Sequence, residues 1–156
     1  MYDYAKFFHL VAAIVWMGGM TFMLLALRPA AMATLEPPAR ARLMAAVWQR
    51  FFPAVLVSIV VLLATGSHFF ASVVRAARLA GSPGGLPLGW NLMLIFGILM
   101  FLIFGHIYAS GFRRFKRAVA AQEWPLAALA AAQIQRLMLI NFILGWLAIA
   151  AVRLVR

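Results

Sequence analysis

The sequence predicts an all-α integral membrane protein, a single bundle of four transmembrane helices, and three observations carry that reading. Of 156 residues, 67% are hydrophobic and 11% are charged, whereas soluble domains are about half apolar and about a quarter charged. The mean hydropathy is +1.00. Four apolar stretches have the length of roughly 20 residues with which a helix crosses a hydrocarbon core about 30 Å thick. They are continuous and do not alternate, which sets aside the strands of a membrane barrel.

The first span is expected over 7–27, ending at Arg28-Pro29, and the second over 51–74, ending before Arg75. The third is expected over 88–112, just ahead of Arg113 and Arg114, and the fourth over 137–152. Tyr2, Tyr4, Trp48, Trp90 and Trp124 fall near these ends, where amphipathic rings favour the headgroup level. Between spans one and two, Arg40, Arg42 and Arg50 follow a Pro37-Pro38 break and predict a short interfacial helix over 31–50. The run Gly-Ser-Pro-Gly-Gly-Leu-Pro over 81–87 predicts an exposed loop. The Ala-rich stretch 116–136 predicts a helix interrupted at Trp124-Pro125.

The charge is lopsided, with 14 Lys+Arg against 3 Asp+Glu. On so apolar a chain this excludes a nucleic-acid module and reads as loop charge that fixes topology beside anionic lipid. Nine basic residues (Arg28, Arg40, Arg42, Arg50, Arg113, Arg114, Lys116, Arg117, Arg136) fall between spans one and two or three and four, against five (Lys6, Arg75, Arg78, Arg153, Arg156) on the other side. The expected protein sits in a bacterial-type inner membrane with both termini outside. Asp3 and Lys6 precede the first apolar run with no basic leader pattern, so that run is expected to be retained. No cysteine is present, which excludes disulfides and thiolate metal sites.

Ionisable side chains within spans are costly and mark function. Here they are His9, His68 and His106, with Asn141 as the main polar companion. A lone membrane histidine as often ties helices together; three among four spans favour metal or haem ligation, since neutral imidazole is the commonest metal ligand. His9, Trp16 and Met23 share one helical stripe, flanked by Ala12, Ala13 and Gly19, small enough to admit a flat ring or another helix. Ser58, Val61, Thr65, His68 and Ser72 form a polar-leaning seam in span two with Gly66 beside it, although such hydroxyls often bond only their own backbone. At about 1.5 Å per residue His9 lies about 6 Å and His68 about 10 Å below one surface, near enough in level to be axial ligands of one haem b. His106 lies near the other surface, where Met17, Met20 or Asn141 could partner it in a second haem, a substrate pocket or a plain contact with Asn141. Met17, Met20 and Met23 also admit copper, because thioethers are soft ligands, or simple packing.

The first span, Lys6-x-x-His9-x6-Trp16-x-x-Gly19, resembles the opening of the HemJ-type protoporphyrinogen oxidases and of the related CopD copper-resistance membrane proteins. Arg50-Phe51 leading to Thr65-Gly66, Gly89-Trp90 leading to His106, and Arg136 followed by Asn141 extend the likeness over all four spans. The resemblance implies a four-helix membrane protein in which His9 contributes to haem b binding. Where those oxidases carry a lysine shortly after the tryptophan, this chain has Asn91, Leu92, Met93, Leu94 and Ile95; where they carry an acid after the asparagine, it has Phe142.

The expectation is therefore a membrane redox protein holding one or two haem b groups, with His9 and His68 as ligands and Trp16, Thr65 and Ser72 lining the site. Electrons would pass between a quinol and an outer redox partner. The alternative is a copper-handling protein using Met20, its neighbouring methionines and the histidines. Gly97, Gly105 and Gly145 permit close packing within the bundle or in a homo-oligomer.

Overall fold

The computed structural model describes residues 2–79 and 87–155, so the loop expected at 81–87 lies outside the described residues except for Pro87. The chain is all-α, and four of its helical rods are long and apolar enough to cross a membrane. Each rod outruns the span that hydropathy alone marks out.

The first rod comprises α1 (Tyr2–Phe22), a π-helical turn (Met23–Leu27) and α2 (Arg28–Thr34). The expected stop at Arg28-Pro29 does not occur. Pro29 has no N–H to give to the preceding turn, and the helix absorbs this by widening, with the Arg28 N–H bonded to the Met23 carbonyl. Helix α3 (Pro37–Leu79) runs unbroken for 43 residues, about 65 Å at 1.5 Å per residue. The expected interfacial helix and the second span are thus one rod. Pro37 and Pro38 do not break it; they occupy its first turn, where the N–H groups lack helical partners in any case.

The third rod is α4 (Leu88–His106), a second π turn (Ile107–Gly111) and α5 (Phe112–Ala120). Helix α6 (Trp124–Leu154) is the fourth. Between α5 and α6 the break falls one step before Trp124-Pro125. The Gln122 N–H bonds to Val119 O at 3.2 Å and the Glu123 N–H to Ala118 O at 2.9 Å, the paired bonds of a Schellman cap. Gln122 takes the left-handed position, with φ at 58°.

Helix α1 packs along α3, and α4 along α6. Aromatic rings join the two pairs, alongside packing of α6 on α1 and α3. Trp48 stacks on Phe52 (6.0 Å between centroids, 9° between planes) and meets the edge of Phe115 at 4.9 Å. Phe52 in turn meets Phe104 at 5.7 Å and Phe112 at 5.0 Å, both edge-on. Trp48 is therefore fully buried among the rods. Each such ring pair contributes about 0.5–1.5 kcal/mol beyond its buried area.

Small residues set the closest approaches: Gly145 lies against the Met17 sulfur, Gly19 against the Phe51 ring, and Gly89 against the carbonyls of Ala151 and Val155. Phe7, Leu10, Ile14, Val57, Val60 and Leu102 are among the many large apolar side chains left on the outside, a surface suited to lipid.

Replacing Gln122 by Gly relieves the left-handed backbone, which costs a side-chain-bearing residue about 1 kcal/mol. Q122G is expected to raise the thermal unfolding midpoint in detergent, and an unchanged or lower midpoint counts against this account of the turn.

Candidate functional site

Towards the end of the bundle where the chain termini lie, the two helix pairs part around a cavity of about 370 Å³. Every rod contributes to its wall: His9, Ala13, Trp16 and Met17 from α1, with Leu62, Gly66 and Phe70 from α3. Met93, Gly97, Met100 and Phe101 of α4 and Gly145 and Ala148 of α6 complete it. Along α1 the lining runs from residue 9 to residue 17, about 12 Å of helix. The inner end is closed by Trp16, which stacks on Phe101 at 5.8 Å with 12° between planes and meets the edge of Phe104. Leu63, Ser67 and Phe70 of α3 and Leu94 and Ile98 of α4 line the cavity and are exposed on the outer surface as well. The cavity accordingly opens sideways between α3 and α4, towards the region that lipid acyl chains occupy.

His9 is the single ionisable residue in this wall. Its Nδ1 lies 2.7 Å from Thr65 Oγ1. The Thr65 hydroxyl has one hydrogen to give, and it donates it to the Val61 carbonyl at 2.6 Å. The oxygen is then the acceptor towards His9, so Nδ1 carries the proton. This tautomer, assigned from the network, leaves Nε2 with a free lone pair. Orientation of one ring nitrogen by an outer partner while the other keeps its lone pair is the preparation a metal-binding imidazole needs. The Phe69 ring, tilted 59° at 5.5 Å, supports the imidazole from α3. A Cβ added at Gly66 would stand 3.8 Å from His9 Cε1, an ordinary van der Waals contact. At Gly97 an added Cβ meets nothing within 4 Å.

The other expected site residues are distributed differently. Thr65 acts on His9 directly. Trp16, 3% exposed, forms the cavity floor. His68 is exposed and absent from the cavity wall, its ring 6.2 Å from that of Phe69. Because His9 bonds to Thr65, His68 stands one turn, about 4.5 Å, nearer the Leu79 end; it is not the deeper of the two as expected, since α3 extends past Arg75. Ser72 Oγ donates to its own helix, to the His68 carbonyl at 2.8 Å.

His106 is likewise exposed, and the contact with Asn141 expected for it is not formed. Asn141 is 1% exposed and gives its Nδ2 to the Met100 carbonyl at 3.2 Å. Residues 100 and 106 are six apart, so their side chains leave α4 on faces roughly 120° apart. Met20 is packed in the aromatic core, 1% exposed, and only Met17 of its ladder reaches the cavity. Among the described residues, no three His, Asp or Glu side chains gather as a metal site.

Sequence reasoning missed Phe69, Met93, Phe101 and Gly97 as parts of this site. Gly97 had a usable signal, a glycine within an apolar run on the span facing His9; for the others apolar type alone gives none. Compared with known proteins, the chain matches no family model, no curated protein and no solved structure. The site is argued from its own residues.

The Thr65 hydroxyl is the group that selects the His9 tautomer. In 15N NMR of the histidine-labelled protein in bilayers, His9 is expected to be protonated at Nδ1 alone. Thr65→Val should give a mixture of tautomers and Thr65→Ser should preserve the single one; an unaltered spectrum in Thr65→Val contradicts the assignment.

Proposed function

We propose that this chain is a haem b-binding integral membrane redox protein in which the His9 imidazole would hold the haem iron. The observation that carries the reading is the His9–Thr65–Val61 hydrogen-bond chain, which keeps a lone pair on Nε2 at the wall of an apolar cavity bordered by all four rods. The donor set suits haem iron. One neutral imidazole is present, the remaining soft donors are the thioethers of Met17, Met93 and Met100, and no carboxylate lines the cavity. Ala13, Gly66, Gly97 and Ala148 put only small groups on the walls. Haem held here by His9, with the thioethers of Met17, Met93 and Met100 nearby, would supply one-electron redox chemistry.

The protein's own part is distinct from that chemistry. Thr65 holds the ring orientation, Phe69 supports it, and Trp16 and Phe101 close the inner end of the apolar cavity. The opening between α3 and α4 suits a lipid-dissolved donor such as a quinol, or a porphyrin-related substrate. The count of nine basic residues against five orients the Arg28 and Arg113 end towards the cytoplasm of a bacterial-type cell, with the termini outside.

The test is the visible spectrum of protein purified after haem-replete expression and held in nanodiscs. A Soret band is expected, lost in His9→Ala and retained in His68→Ala. Thr65→Val is expected to weaken haem binding about tenfold or more, and Gly97→Phe, which fills the cavity without touching His9, should abolish it. Absence of the band in the parent protein, or its persistence in His9→Ala, overturns the proposal.

A further inference from the structure

A second cavity, of about 210 Å³, lies at the opposite, basic end of the bundle. It is bordered by α2, the first turns of α3 and α6, and Phe115 of α5. Arg28 and Arg40 both line it, with Gln135 beside them, and all three are half-buried. The rest of the wall is apolar, mostly alanines such as Ala31, Ala127 and Ala131, with Met44 and Trp124. No carboxylate lines the cavity. The Arg28 Nε is buried and has no hydrogen-bond partner.

A guanidinium nitrogen withdrawn from water with no acceptor is costly, and an anion brought from outside removes that cost. The neighbouring cations do not share the arrangement. Arg42 is exposed and lies over the Trp124 ring at 5.5 Å, while Arg113 and Arg114 are exposed on α5. Arg28 stands immediately after the apolar run 7–27, where a rod leaving the hydrocarbon meets the phosphate layer of a bilayer. Basic pockets between membrane helices at this level suit phosphate headgroups. The planar fork of arginine matches two phosphate oxygens at once, and two arginines with an amide suit an oxyanion with several acceptors.

We propose that the Arg28–Arg40 cavity is a binding site for a phosphate-class oxyanion, carried by an anionic lipid headgroup or free in solution. Arg28 and Arg40 bind the charge, Gln135 adds an amide donor, and the alanine walls accommodate the apolar part of a lipid.

Thermal unfolding of the full chain in detergent tests this with three additives: short-chain phosphatidylglycerol, diacylglycerol of the same chain length, and inorganic phosphate against chloride at equal ionic strength. Phosphatidylglycerol is expected to raise the unfolding midpoint in a saturable way and diacylglycerol to leave it unchanged. A rise with phosphatidylglycerol alone identifies the headgroup as the source, and a rise with inorganic phosphate as large as that with the lipid identifies the free anion. No saturable rise with either overturns the proposal, whatever the variants do. The double variant R28Q/R40Q is expected to weaken the apparent affinity about tenfold or more, the loss of at least one charge-assisted bond. R113Q/R114Q, with the same change in net charge at the same end, should leave it unaltered; equal losses in the two would reduce the effect to diffuse charge. R28K keeps the charge and removes the fork, and an affinity equal to the parent's would also overturn the site.

Discussion

In hydrocarbon a polar side chain has few partners to choose from, and whichever it takes fixes its geometry. His9 takes Thr65, and that single bond of 2.7 Å joins α1 to α3, sets the imidazole's tautomer and decides which nitrogen remains available. Thr65 can serve in this way because its own hydrogen is already committed to Val61, one turn back in the same helix. In most membrane helices a hydroxyl bonded to its own backbone is merely satisfied. Here the same local habit converts the oxygen into a pure acceptor aimed at the neighbouring helix. The chemistry open to the cavity follows from this arrangement, since without it His9 could expose either nitrogen.

The distribution of packing has a related cause. Lipid tails are as apolar as leucine, so helices within the bilayer gain little by hiding apolar surface from one another. Association falls to shape, ring contacts and scattered polar bonds. In this bundle the ring contacts among Trp48, Phe52, Phe104, Phe112 and Phe115 concentrate towards the basic end. The other half, held chiefly by α1 on α3 and α4 on α6, is free to stay apart. A gap of 370 Å³ that would be a serious defect in a soluble core is tolerated where the alternative neighbour is a lipid chain.

The fold class was legible because hydropathy and length are one-dimensional properties. The ends of the rods were not. Pro29, Pro37 and Pro38 look like stops, yet one is absorbed by a π turn and the others occupy a first turn. That error carried into the site. With α3 assumed to leave the membrane at Arg75, His68 fell at the level of His9; with α3 continuing to Leu79, the residue at that level is Thr65. The polar seam of span two was expected to face the bundle as one row; Thr65 does turn towards α1, but His68 is exposed. Periodicity gives relative faces along one helix, but not which neighbour each face meets. The stacking of Trp16 on Phe101 depends on such a pairing and left no trace in either span.

The sideways mouth between α3 and α4 changes what concentration means for this protein. A molecule arriving through that mouth has already dissolved in the membrane, so its supply is counted per lipid molecule instead of per litre of water. Doubling the amount of bilayer while holding the total ligand fixed halves what the cavity encounters, although nothing about the cavity has changed. Occupancy in the cell would then track the oil-like fraction of the membrane's small molecules, and the same chain could be saturated in one lipid background and empty in another at an identical bulk dose.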